Sequence, residues 1–171
     1  MLERLRTDLV GKLTPIKLLI INAGVLLTEN QISYDVKNLG FSNGDALKAL
    51  KRLGVKIIAF STRKSETLSS IGNRLGIELF YFVVSPRSQL YYNIKVAHSV
   101  SDREVAFIGG DFFDIPVIEK AGFSVAPADA ILEVKSRSYY ITYGNGEGAV
   151  REVAELILRA KHYSSGILNE S

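Results

Sequence analysis

"EVAFIGGDFFDIPVIEKAGFSVAP", residues 104–127, holds a strand, a helix and a second strand within one short stretch. "EVAFIGG" (104–110) is an apolar run that stops at two glycines. "FDIPVIEKAG" (113–122) has apolar residues at helical spacing and ends in Gly. "FSVAP" (123–127) is apolar again. A strand, a helix and a strand joined this tightly make a parallel crossover unit. The same alternation runs through the chain. "IKLLIIN" (16–22), "VKIIAFS" (55–61), "IELFYFVV" (77–84) and "SYYITYG" (138–144) read as further strands. Most are continuous in hydrophobicity, as strands covered on both faces are. "GDALKALKRLG" (44–54), "SETLSSIGNRLG" (65–76), "SQLYYNIKVAHS" (88–99) and "GAVREVAELILRAKHY" (148–163) read as helices, the first two closed by Gly. The expectation is an α/β fold: a doubly wound, mainly parallel Rossmann-like sheet with helices on both faces. Residues 1–171 are taken as one domain. Residues 1–14 form an N-terminal extension read as a short docking helix. Residues 25–43, which carry no convincing helix, form a short flap after strand one.

Bulk properties narrow the function. Hydrophobic residues make up 47% and charged residues 23% of 171, an ordinary globular balance. There are no cysteines, so disulfides, thiolate zinc sites and cysteine nucleophiles are excluded. A net charge of +3, spread over short runs such as "KRLGVK" and "STRKS", argues against nucleic acid. No run reaches the roughly 18 apolar residues of a membrane span. A cytoplasmic protein is expected.

In a doubly wound sheet the ligand crevice lies beyond the carboxyl ends of the strands. Those ends are Asn22-Ala23-Gly24, Ser61-Thr62-Arg63-Lys64, Ser85-Pro86-Arg87 and Gly109-Gly110-Asp111. Two other leads fail. Tyr91 and Lys95 have the spacing of a short-chain dehydrogenase pair, but no glycine-rich dinucleotide loop lies well upstream of Asn22. "GNGEG" (144–148) follows the last strand and reads as a tight turn before a helix.

Four stretches carry a resemblance: "IKLLI…LLT", "IIAFSTRKS", "VAFIGGDFFDIPVIEKAGFSVAPADA" and "GAVREVAELIL". In this order they resemble the haloacid dehalogenase (HAD) superfamily. The nearer likeness is to the cap-less phosphatases acting on 3-deoxy-D-manno-octulosonate 8-phosphate, over roughly residues 15–162. The resemblance implies a D-x-D motif closing strand one, whose first Asp attacks phosphorus and whose second is the acid/base. It implies a Ser or Thr on strand two and a Lys before the third helix to hold phosphate. One or two Asp after strand four would complete a Mg²⁺ site.

On this chain the nucleophile position is Asn22 and the acid/base position is Gly24. Ser61 is kept, followed by Thr62 and Arg63, and Arg87 takes the Lys position. Ser61, Thr62, Arg63 and Arg87 are therefore the candidate phosphate-binding residues. The metal Asp is Gly110, leaving Asp111 and Asp114 as residual candidates, so no metal is expected to be held and no cofactor is needed; Mg²⁺ enters only if the chain is active. The resemblance thus implies a phosphosugar-phosphatase homologue without catalysis. It would act as an anion- or phosphosugar-binding or regulatory subunit, homo-oligomeric and by resemblance tetrameric, with a crevice more positive than that of an active relative. The alternative is a divergent active phosphatase of the same substrate class. A third possibility is an accessory subunit of a sugar-nucleotide enzyme.

Overall fold

Every strand of the central sheet sends successive side chains to opposite faces, and both faces are covered by helices. The computed structural model describes residues 7–27, 43–77, 79–82 and 86–165. Among them the order is α1 (Thr7–Leu13), β1 (Leu18–Asn22), a 3-10 turn (Ala23–Leu26), α2 (Asn43–Arg52), β2 (Lys56–Ser61), α3 (Glu66–Leu75) and β3 (Leu79–Phe82). Then follow α4 (Arg87–His98), β4 (Val105–Ile108), a 3-10 turn (Phe112–Asp114), α5 (Ile115–Ile118), β5 (Phe123–Ala126), α6 (Leu132–Arg137), β6 (Tyr140–Ile141) and α7 (Gly146–Ser164).

The strands lie in the order β3-β2-β1-β4-β5-β6, all parallel. The chain winds outward from β1 to β3, crosses back, and winds outward again from β4. The reversal falls between β1 and β4, which places a crevice at their carboxyl ends. Leu19 and Ile21 face one layer, against Leu47 and Leu50 of α2 and Val150, Val153 and Ile157 of α7. Leu18 and Ile20 face the other, with Phe60 and Phe107, against Leu90 and Ile94 of α4 and Val117 of α5. Each such buried aliphatic contributes about 1.5–3 kcal/mol. The two-sided covering is why the strands read as continuous apolar runs.

Several boundaries differ from the expectation. The helix expected over 113–122 is a 3-10 turn followed by a short α5, because Asp111 caps the turn and Pro116 stands in the first turn of α5. The strand expected over 138–144 is only Tyr140–Ile141. The last helix starts at Gly146, inside "GNGEG". α6 had no sequence expectation; six residues are too short for a periodic pattern. Gly76 closes α3 with φ of +79°, a conformation that favours glycine. Of the expected flap, Val25 and Leu26 are buried in the first 3-10 turn and Asn43 opens α2. Residues 28–42 lie outside the described residues, as do residues 1–6 of the N-terminal extension; α1 forms the rest of its helix and buries Leu13.

Candidate functional site

Asn22 is the last residue of β1 and is almost fully buried. Both N–H groups of its amide and the amide oxygen are engaged. Oδ1 accepts the N–H of Gly24 at 2.9 Å, which starts the 3-10 turn. Nδ2 donates to Asp114 Oδ2 at 2.8 Å and to Asp111 Oδ2 at 3.1 Å. Two acceptor-only oxygens on one side and an N–H on the other fix which way the amide points.

Asp111 and Asp114 come from the loop after β4. "DFFD" forms a reciprocal cap: Asp111 Oδ1 accepts the N–H of Phe113 at 2.9 Å, and Asp114 Oδ2 accepts that of Asp111 at 3.1 Å. Asp114 Oδ2 also accepts the N–H of Gly110 at 2.9 Å. This closeness explains Gly109. A Cβ there would lie 2.6 Å from Phe107 and 2.8 Å from Asp114, so only glycine fits.

Arg87 opens α4 and reaches the same pair. Nε donates to Asp114 Oδ1 and Nη2 to Asp111 Oδ2, both at 3.0 Å. Its guanidinium lies over the Phe60 ring, 5.0 Å from the centroid. The Asp114 side chain has no exposure and that of Arg87 has 10%, so this is a buried ion pair. Burial pushes the Asp114 carboxyl above its ordinary value and Asp111 adds to this; Asn22, the Asp111 amide and Arg87 pull the other way.

The remaining expected anion ligands are less converged. Ser61 is buried at the end of β2, but its Oγ donates to the Arg63 carbonyl at 2.7 Å and receives the Arg63 N–H at 3.2 Å. Thr62 and Arg63 are exposed, and the cap of α3 is Ser65, not Ser61 or Thr62. A cleft of about 870 Å³ runs beside Arg87, lined by Thr62, Pro86, Ser88 and the exposed Phe112 and Phe113. A smaller one of about 250 Å³ lies on the Asn22, Gly24 and Gly110 side. Arg87 does not present its whole charge to the crevice: its fork is turned onto two carboxylates, because a buried Asp114 requires a partner. Sequence reasoning placed Arg87, Asp111 and Asp114 at the site but missed that they pair with each other. The D-x-x-D spacing was the available signal for the cap; nothing local signalled the Arg.

No family model matches the chain. A curated relative, the 3-deoxy-D-manno-octulosonate 8-phosphate phosphatase of Haemophilus influenzae, is 31% identical over 161 residues, covering 90% of this chain and 89% of the relative. This chain belongs to that phosphatase family, within the HAD superfamily. The crystal structure of the Yersinia pestis phosphatase of this name has a TM-score of 0.78 at 28% identity, covering 95% of this chain and 91% of that one. The Moraxella catarrhalis phosphatase, solved with a magnesium ion, a phosphate ion and a KDO molecule, has a TM-score of 0.78 at 25% identity, covering 98% and 100%.

The family likeness implies a Mg²⁺ ion at the ends of β1 and β4, so the residues there can be tested for fit. Mg²⁺ needs oxygen ligands in near-octahedral geometry. Position 22 turns an NH₂ group toward the two carboxylates. The Gly24 carbonyl accepts the Leu27 N–H at 3.2 Å. Gly110 has no side chain, and the Asp111 and Asp114 oxygens already receive Asn22, Arg87 and backbone donors. Among the described residues no three His, Cys, Asp or Glu side chains are grouped to hold a metal. The arrangement does not fit the ion. Nor does any described helix have the length and hydropathy to cross a membrane.

Proposed function

We propose that this member of the phosphatase family binds a small phosphorylated sugar acid, or phosphate itself, without hydrolysing it, and serves as a binding or regulatory subunit. The observation that carries the reading is the locked amide of Asn22. A carboxamide cannot form an acyl phosphate, and its nitrogen is committed to Asp111 and Asp114. Gly24 offers no acid/base group in its place. In other enzymes loss of the nucleophile costs on the order of 10⁴–10⁶ in turnover.

The ligand class is drawn from the relatives' substrate and supported by the cleft beside Arg87, whose volume accommodates a sugar phosphate. Arg87 has five N–H groups and donates two of them to Asp111 and Asp114; Ser61, Thr62 and Arg63 complete the proposed phosphate contacts. Assembly into a homo-oligomer, in a reducing cytoplasm, belongs to the same reading.

A second reading is favoured by the comparisons themselves, because the curated relatives are named as phosphatases. The chain would then be a divergent, Mg²⁺-assisted phosphomonoester hydrolase relying on Asp111 or Asp114. Phosphate release from 3-deoxy-D-manno-octulosonate 8-phosphate, with and without Mg²⁺, separates the two. Silence of the natural chain alongside saturable binding of the intact sugar phosphate supports the first reading. Mg²⁺-dependent turnover at an ordinary enzymatic rate sinks it.

A further inference from the structure

We propose that Asn22 and Arg87 together replace a divalent cation in this chain. The Asn22 amide and the Arg87 guanidinium are the built-in positive partners of Asp111 and Asp114, and the strand-end site is electrostatically complete without metal. The inference deepens the reading above and shares its premise that position 22 works as an amide.

The buried carboxylate of Asp114 needs donors or a cation, and the half-exposed Asp111 beside it shares them. Here the donors are covalently part of the chain. Asp114 receives four: Asn22 Nδ2 at 2.8 Å, the N–H groups of Gly110 and Asp111 at 2.9 and 3.1 Å, and Arg87 Nε at 3.0 Å. Asp111 receives three: Asn22 Nδ2 at 3.1 Å, Arg87 Nη2 at 3.0 Å and the Phe113 N–H at 2.9 Å. Asn22 spends both amide hydrogens on this pair and is held by the Gly24 N–H, so its oxygen cannot turn inward without losing three hydrogen bonds. Arg87 is pinned from behind by Phe60. A dication entering between the two Asp would have to displace the Asn22 nitrogen and the Arg87 fork, both positive toward it. Among the described side chains it would gain only the Asp oxygens, since Gly110 adds no ligand.

The sharpest consequence concerns a single atom pair. Asn22→Asp exchanges a donor for a carboxylate oxygen about 3 Å from two other carboxylates, with Arg87 the one cationic side chain bonded to them among the described residues. The test is thermal unfolding and calorimetric titration of the full chain with MgCl₂ or EDTA at matched ionic strength. For the natural chain we expect the same midpoint in both and no heat of Mg²⁺ binding. For Asn22→Asp we expect a midpoint lower by about 5 °C or more in EDTA, restored in part by Mg²⁺. Asn22→Leu, which can neither donate nor ligate, should lose stability equally in both solutions. Saturable Mg²⁺ binding by the natural chain overturns the proposal even if the Asp variant does not fold. So does an Asn22→Asp variant as stable in EDTA as the natural chain. These readouts are independent of phosphate release: a silent chain that binds Mg²⁺ refutes this inference and leaves the binding reading standing, and a metal-free hydrolase does the reverse.

Discussion

Asp114 is the residue on which the site's energetics turn. A carboxylate with no solvent exposure is tolerated because Arg87 and three N–H donors surround it. Arg87→Met keeps the packing on Phe60 and removes the charge, so it should destabilise the chain by about 3–5 kcal/mol in denaturant titration. A neutral effect there would mean that the backbone donors suffice. The two glycines before Asp111 make a sharper contrast. Gly109→Ala brings a Cβ within 2.8 Å of Asp114, and overpacking of this kind costs about 1–3 kcal/mol. Gly110→Ala meets, among the described residues, only a Val25 methyl at 3.4 Å and should be close to neutral. Measuring both by urea unfolding separates the close approach of Asp114 from a general intolerance of the loop.

At the scale of elements, α4 serves the fold at both ends. Its first residue, Arg87, serves the site, while Tyr91 and Lys95, one turn apart, both donate to Asp102 Oδ1 at 2.6 Å. Their spacing, which mimics a dehydrogenase pair, thus ties α4 to the start of β4. Burial, then Asp102, pushes the Tyr91 hydroxyl well above its ordinary value. For Asp102 burial acts upward, but the hydrogen bonds from Lys95 and Tyr91 outweigh it and the carboxyl lies below its ordinary value. An acid with a depressed native pKa stabilises the fold above its unfolded pKa, and loses that contribution as pH falls through the native one. Stability should therefore decline below about pH 4. Asp102→Asn should be less stable at neutral pH and show a shallower acid limb when denaturation midpoints are followed against pH. An unchanged limb would assign the acid sensitivity to other carboxylates.

At the scale of the whole molecule, the winding order gathers the site from β1, from the loop after β4 and from the start of α4, residues 22, 111–114 and 87. A scaffold of this kind is specified separately from the side chains of the site it carries. Restoring carboxylates at all three altered positions should therefore meet an intact frame. A Cβ at Gly24 would lie 3.3 Å from Asn22 Oδ1 and one at Gly110 3.4 Å from Val25, gaps that shifts of a few tenths of an ångström accommodate. The triple variant Asn22→Asp, Gly24→Asp, Gly110→Asp should fold, bind Mg²⁺ and release phosphate from the sugar phosphate at a rate the natural chain does not reach. A folded, Mg²⁺-binding but silent variant would show that the substrate pocket has diverged along with the catalytic residues.

The sequence by itself determined the fold class, because continuous apolar strands alternating with helical patterns admit a parallel sheet covered on both faces and little else. It also determined that position 22 cannot attack phosphorus and that positions 24 and 110 carry no side-chain chemistry, since those follow from residue identity alone. Element ends such as β6, and the short α6, escaped it, because a handful of residues carries no period. Only the tertiary structure decided what the surviving polar residues do. Arg87 and Asp114 are 27 positions apart, and Asn22 and Asp114 are 92 apart. No local pattern joins them; the sheet order does, by setting the end of β1 beside the loop after β4. Read singly, Arg87 was a cation for a ligand and Asp114 a residual metal-ligand candidate. Placed 3.0 Å apart out of water, they become each other's partner, because a buried carboxylate without one would not be stable.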